Sequence, residues 1–342
     1  MRQHHNVLYL TTPGAYLCVH DQAVEVRRDG QPPVRVPRHH LQAIICLGPT
    51  TVSPPLMQTC AHEGIAIAFL SEQGRFLARV VGPQDGNVHL RRAQYRFADD
   101  PDRCLAIARS CVVGKLCNAR TLLRRWARDQ ADGDARTRLT EGANGLSEIL
   151  GILGGIRDLD SLRGAEGQAA KRYFDCFPFL LRGDPLFTWE GRTRRPPMDP
   201  VNAVLSFLYS ILATECGAAV QAVGLDPQVG FLHVEKPGRP ALSLDLMEEF
   251  RPLLVDRLLF TLINRRQLQP RHVQREDAGV WLLTQEGRKL VLEAWHERKR
   301  EEITHPVLNE RTAWGLFPLV QARLLARHVR GDLDVYPPCL PD

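Results

Sequence analysis

The sequence predicts an α+β protein, with a small β-rich N-terminal domain followed by a larger, all-helical domain. Three observations predict it. The 342 residues, 44% of them hydrophobic, suffice for more than one core and exclude global disorder. From Asn6 to about Val81 the apolar residues come in short strand-like runs. Beyond His89 their period changes from two to about three and a half and stays there for most of the chain. The boundary is therefore drawn between residues 1–88 and 89–342.

In the first part the runs VLYL, AYLCVH, AVEVRR, VRV, QAIICL, IAIAFL and RFLARV read as strands. Turn chemistry separates several of them. Thr12-Pro13-Gly14 follows the first, Asp29-Gly30 suits a hairpin, and Glu72-Gln73-Gly74 precedes the last. One helix is predicted here, after Pro54 and Pro55 and ending near Gly64. In the second part the helical pattern breaks at Gln130 to Asp134, at Gly183 to Pro200 with its Arg-Arg-Pro-Pro, at Pro237 to Pro240 and around His305-Pro306. Three prolines, Pro337, Pro338 and Pro341, make the tail from Gly331 irregular, and it is read as mobile.

Runs such as LQAIICL and IAIAFL fall far short of the roughly 20 residues that span a bilayer, and the start MRQHHN has no apolar stretch beside it. The expectation is a protein that meets no membrane. Nine cysteines, scattered from Cys18 to Cys339 without a C-x-x-C pair, suggest neither a disulfide framework nor a zinc ribbon, which fits a reducing cytoplasm. The net charge of +5 is modest, but its distribution is uneven. Between Pro101 and Arg128 seven basic residues (Arg103, Arg109, Lys115, Arg120, Arg124, Arg125, Arg128) face one acid, Asp102. Leu105, Ala108, Val112, Leu116, Ala119, Leu123 and Trp126 give that stretch a buried helical stripe. Its basic face reads equally well as a solvated surface or as a track for phosphates.

Three places have the residue types that chemistry needs. In SLRGAEGQAAKRYF, Leu162, Ala165, Ala169, Ala170 and Tyr173 form an apolar strip from which Glu166 projects. A carboxylate there needs a metal, a basic partner or a solvated cleft, and a structural ion pair is the plainer reading. In GLDPQVGFLHVEKPGRP, His233 stands at the end of an element, with Lys236 in the loop beyond it. In SLDLMEEFRPLLVDRLLF, Ser243 suits a helix N-cap and Leu246, Met247, Phe250, Leu254, Leu258 and Leu262 suit the buried face. Asp245 and Glu248 then fall in the first turn, where acids often do no more than complement the helix dipole. The loop before that helix is short enough to fold back over it. Two or three carboxylates with one imidazole describe a hard-to-borderline divalent site, suited to Mg²⁺ or Mn²⁺. Spacing alone leaves open whether Glu166, His233 and Glu248 meet at all.

At these same residues the sequence resembles the CRISPR-associated protein 1 family, the integrases that insert new spacers into CRISPR arrays. The strings that carry the resemblance are LRGAEGQAAKRYF, RRPPMDPVNAVLSFLYSIL, GLDPQVGFLH and SLDLMEEFRPLLVDR, with NVLYL and GIAIAFLSEQG before them and QARLLARHVRG after. They span essentially the whole chain. The resemblance implies metal ligands at Glu166, His233 and Glu248, with Asp245 close by as a possible further ligand. It implies a homodimer, double-stranded DNA as both incoming fragment and repeat or leader target, and a small adaptation partner protein that bridges two dimers. The N-terminal domain would serve dimerisation and partner contacts. Lys236, Tyr209 and Arg163 match positions near the reacting DNA. Length and motifs look closest to the type I-C branch, in which an accessory nuclease assists. Two rivals remain: a structure-selective repair endonuclease, and a DNA-binding scaffold without catalysis.

Overall fold

The computed structural model describes residues 6–82, 88–193 and 196–341, so the first five residues and Arg194-Arg195 of the Arg-Arg-Pro-Pro string lie outside the described residues. The chain divides into two compact units, Met1–Gly86 and Asn87–Asp342.

The first unit is built from β1 (Asn6–Leu10), β2 (Ala15–His20), β3 (Ala23–Arg28), β4 (Gln31–Pro37), β5 (Leu41–Leu47), β6 (Thr50–Val52), α1 (Pro54–His62), β7 (Ala66–Leu70) and β8 (Phe76–Val80). They form two four-stranded sheets, ordered β1-β5-β7-β8 and β4-β3-β2-β6. In the first, β1, β5 and β7 run parallel and β8 turns back on β7. The second is the antiparallel meander β2-β3-β4, with β6 parallel to β2. Arg28 pairs with Gln31 across the predicted Asp29-Gly30 turn, and Gly30 takes the positive φ of 69°. Helix α1 starts where Pro54 and Pro55 predict it, capped by Ser53. Leu17, Val24, Ile44, Leu56 and Ile67 meet in this unit's core. The pattern VRV undersells β4, and the three residues of β6 are too few to show an alternation.

The second unit is helical: α2 (Val88–Asp99), α3 (Pro101–Arg128), α4 (Gly133–Ile152), α5 (Leu159–Asp175), α6 (Pro200–Ala222), α7 (Ala241–Glu248), α8 (Arg257–Asn264), α9 (Gln285–Arg300) and α10 (Phe317–Arg330). Four of these begin on an aspartate that accepts backbone N–H bonds, namely Asp100, Asp132, Asp158 and Asp199. Two antiparallel ribbons interrupt the helices: β9 (Val273–Arg275) with β10 (Trp281–Leu283), and β11 (Glu302–Thr304) with β12 (Arg311–Ala313). Strands of three residues carry no readable period, so the sequence shows them only as breaks. Helix α6 is long and apolar enough to cross a membrane, but most of it is buried in the protein and Val201, Leu205, Leu208 and Leu212 are fully enclosed. It is the central core helix.

The structure departs from the sequence reading at three places that bear on function. The amphipathic stretch at 243–260 is not one helix. Helix α7 begins at Ala241, two residues before Ser243, so Ser243 is buried inside the helix and does not cap it. The helix then opens into a π turn over Arg251–Asp256 before α8 resumes. Pro252 explains the break, because it has no N–H to donate and its ring crowds the carbonyl four residues earlier, that of Glu248. The basic face of α3 is also smaller than seven residues. Lys115 is buried, Arg109 donates to the carbonyls of Leu153 and Ile156, and Arg103, Arg124, Arg125 and Arg128 remain exposed. Finally, the tail is irregular but firmly held. Tyr336 and Cys339 are buried, and the Glu249 carboxylate accepts hydrogen bonds from the Tyr336 hydroxyl (2.5 Å), the Cys339 amide (2.5 Å) and the Gln321 amide (3.1 Å). Asn118 of α3 donates to the carbonyls of both Glu249 and Cys339, each at 2.9 Å.

Candidate metal centre

The loop before α7 does fold back, and Asp245 organises it. Asp245 is fully buried in α7. Its Oδ2 accepts the backbone N–H groups of Phe231 (2.6 Å) and Leu232 (3.0 Å), and its Oδ1 accepts those of the His233 backbone (2.9 Å) and the His233 ring nitrogen Nδ1 (2.7 Å). Gly230 makes this approach possible, since a Cβ there would stand 2.8 Å from both Ala241 Cβ and Asp245 Oδ2. Arg163 of α5 ties the same loop from the other side, donating from Nε to the Leu232 carbonyl at 2.7 Å, while its Nη1 pairs with Asp160. The Arg163 side chain is part-exposed.

Because an aspartate carboxylate only accepts, Nδ1 of His233 carries a proton, and the ring's other nitrogen, Nε2, points toward Glu248, whose Oε1 lies 3.9 Å away. Glu248 is the last residue of α7 and Asp245 its fifth, so neither acid sits at the helix start and dipole complementation does not explain them. Two cations hold Glu248. Arg251 donates to Oε1 at 2.7 Å, and the Lys115 ammonium lies 2.7 Å from Oε2. Burial opposes charge on this carboxyl, but Arg251, Lys115 and His233 outweigh it and hold Glu248 ionised well below the usual carboxylate range.

Glu166 completes the group. Helix α5 turns Leu162, Ala165, Ala169 and Tyr173 into the core and leaves Glu166 at the rim, where its carboxylate is in close contact with the same Lys115 ammonium. One lysine therefore bridges Glu166 and Glu248, the residues on α5 and α7 that the sequence marks as partners. The ion pair that the plainer reading of Glu166 asks for exists, and its cation is Lys115. Among the described residues no three His, Cys, Asp or Glu side chains close around a single point. The donors still suit a divalent ion in kind: two carboxylates that already share a cation, and beside one of them an imidazole with a carboxylate behind it.

Behind the centre, Tyr209 is buried. Its hydroxyl donates to Asp256 Oδ1 at 2.6 Å, Tyr173 donates to Oδ2 at 2.8 Å, and the Arg251 guanidinium stacks 4.2 Å over the Tyr209 ring. Tyr209 thus supports Arg251, which in turn holds Glu248. Lys236 stands exposed in the loop after His233.

The family profile of CRISPR associated protein Cas1 matches residues 8–297. The chain belongs to the Cas1 family. It is 50% identical over 338 residues to CRISPR-associated endonuclease Cas1 2 of Rhodospirillum rubrum, covering 97% of each chain. It is 43% identical over 339 residues to CRISPR-associated endonuclease Cas1 1 of Chlorobaculum tepidum, covering 99% of each. Among solved structures, a casposase bound to its integration product shares the fold with a TM-score of 0.83 at 20% identity, over 97% of this chain and 92% of that one. The β-rich first unit and helical second unit of this Cas1 chain are therefore the family's architecture, and the lysine-bridged carboxylates lie in its helical unit.

Proposed function

We propose that this Cas1 chain is a metal-dependent DNA endonuclease and integrase of CRISPR adaptation, and that Glu166, His233 and Glu248 hold its Mg²⁺ or Mn²⁺. The observation that carries the reading is that Glu166 of α5 and Glu248 of α7 share one buried lysine ammonium, with the His233 ring of the 230–233 loop 3.9 Å from Glu248. In the reaction a 3′ hydroxyl of the incoming fragment attacks a phosphodiester at the repeat boundary; a new ester bond forms as the old one breaks, so no external energy is needed. When bound, the divalent ion supplies charge for the phosphate oxygens and favours the ionised form of the attacking hydroxyl. The chain's own residues prepare that chemistry. Asp245 orients the imidazole through Nδ1 and leaves Nε2 as the nitrogen turned to the metal side, and so is a positioning residue, not a ligand. Arg251 keeps Glu248 ionised and fixed. Arg124, Arg125 and Arg128 on α3 offer charge to DNA phosphates, and Lys236 sits in a loop beside His233 where a phosphate would pass.

Family membership supports a homodimer, double-stranded DNA as fragment and repeat target, and a small adaptation protein bridging two dimers, with the first unit serving dimerisation and partner contacts. Chain length and the motif strings are the support for the type I-C branch with its accessory nuclease.

Strand transfer into a repeat-containing target tests the function. Joined product is expected from the wild type with Mn²⁺, and none from Glu166→Ala or His233→Ala, both still binding DNA. A repair endonuclease would leave only cut ends, and a scaffold would show no metal-dependent product. Full strand transfer by either variant removes the ligand assignment.

A further inference from the structure

Lys115 has a place in the centre that no motif marks. It is 8% exposed, on a helix whose backbone is fixed by Asn118 against Glu249 and Cys339. Its ammonium touches both Glu166 and Glu248, and those two side chains with Lys115 and Arg251 add up to zero formal charge. A divalent ion taken up by the same carboxylates would bring two positive charges to a point within contact distance of that ammonium. The two cations require the same oxygen atoms, and the lysine, on a flexible four-carbon stem, is the one that can leave. Inward, the cavity beside its stem, lined by Leu116, Ala119, Tyr173, Tyr209, Arg251 and Asp256, has a volume of about 10 Å³, room for one water, and an ammonium moved there would meet the Arg251 guanidinium as a second cation. The outward side is open, where the Glu166 and His233 side chains are 25% and 22% exposed.

We propose that the Lys115 ammonium is a resident substitute for the divalent ion, neutralising Glu166 and Glu248 in the metal-free protein and swinging outward when the ion enters. The inference rests on the ligand assignment above. The metal-free enzyme is then a neutral, locked centre, and metal entry both fills the site and exposes a positive charge on the side from which a phosphate approaches.

Two measurements without DNA test it. Calorimetric titration with Mn²⁺ compares the wild type with Lys115→Met, which keeps the stem's packing and removes the charge. The variant should bind Mn²⁺ at least tenfold more tightly; equal or weaker binding overturns the proposal. Glu166→Gln serves as the control: if it leaves Mn²⁺ affinity intact, the ion binds elsewhere and the ligand assignment fails instead. The second measurement needs no variant. Lys115 is one of five lysines, so amine acetylation of the wild type can be read at each by mass spectrometry. Relative to the exposed Lys289, Lys115 should be protected in EDTA and labelled severalfold faster in Mg²⁺. Labelling that ignores Mg²⁺ overturns the displacement.

Discussion

Replacing Asp245 with asparagine separates a residue that orients the metal centre from one that coordinates in it. The aspartate's two oxygens accept four N–H donors: three from the backbone of 231–233 and one from the His233 ring. An asparagine keeps one oxygen and turns an NH₂ toward the donors that the other oxygen served. One or two buried N–H groups are then left unpaired, at about 1–3 kcal/mol each. A loss of roughly 1–6 kcal/mol follows, which for a unit of this size, at about 2 °C per kcal/mol, lowers Tm by roughly 2–12 °C. Nδ1 of His233 also loses its charged partner, and outer-shell losses of this kind cost about 10–100-fold in metal affinity. Thermal denaturation in EDTA and Mn²⁺ titration of Asp245→Asn read the two effects. A variant that keeps wild-type Tm and affinity refutes the orienting role; one with wild-type Tm and no measurable Mn²⁺ binding makes Asp245 a ligand.

Other outcomes follow from the same contacts. Removing Tyr336–Asp342 strips the Glu249 carboxylate of two of its donors, and Tm should fall markedly by differential scanning fluorimetry although residues 336–341 form neither helix nor strand; an unchanged Tm contradicts the tail's anchoring. Burial raises Asp256 to about 6 and Glu249 to about 7, from ordinary values of 3.8 and 4.5. Raised carboxyl values in the folded state mean that their contribution to stability is full below about pH 4 and is lost as pH rises through 6 to 7. For Asp256 a shift of about two units corresponds to about 3 kcal/mol. The Tm deficit of Asp256→Asn relative to wild type should therefore narrow between pH 5 and pH 8, and a constant deficit would falsify the assignment. Replacing Arg124, Arg125 and Arg128 together by glutamine should weaken DNA binding equally for all sequences and flatten the slope of log affinity against log salt by up to about 3. An unaltered slope means that α3 carries a solvated face and no phosphate track.

Much of this centre is written locally in the chain. Glu166 stands out because it interrupts a strip of small apolar residues, and the short loop from His233 to Asp245 leaves little choice but to fold back. Lys115 is less visible because it counts first as one of seven basic residues on α3. Its position carries a signal all the same: it lies between Val112 and Leu116 on the buried stripe, and a lysine there needs a carboxylate that α3 does not supply. The break after Glu248 escapes the sequence reading, although Pro252 marks it, because the apolar period runs through the π turn without losing phase: Leu254 and Leu258 are buried on either side of its end. The tail shows the limit of reading order from irregularity. Its prolines exclude a helix, yet Tyr336 and Cys339 are fastened by a carboxylate almost ninety residues away, a long-range pairing that local sequence does not display.

The most direct test of the metal centre is an anomalous difference map from crystals soaked in Mn²⁺. One ion should appear roughly 2.1 Å from a carboxylate oxygen of Glu166, from Nε2 of His233 and from a carboxylate oxygen of Glu248. The Lys115 ammonium should have moved away, and Asp245 should still bind the 231–233 backbone. A peak coordinated by Asp245 in place of Glu248, or an ion bound away from Glu166 and His233, would contradict the account.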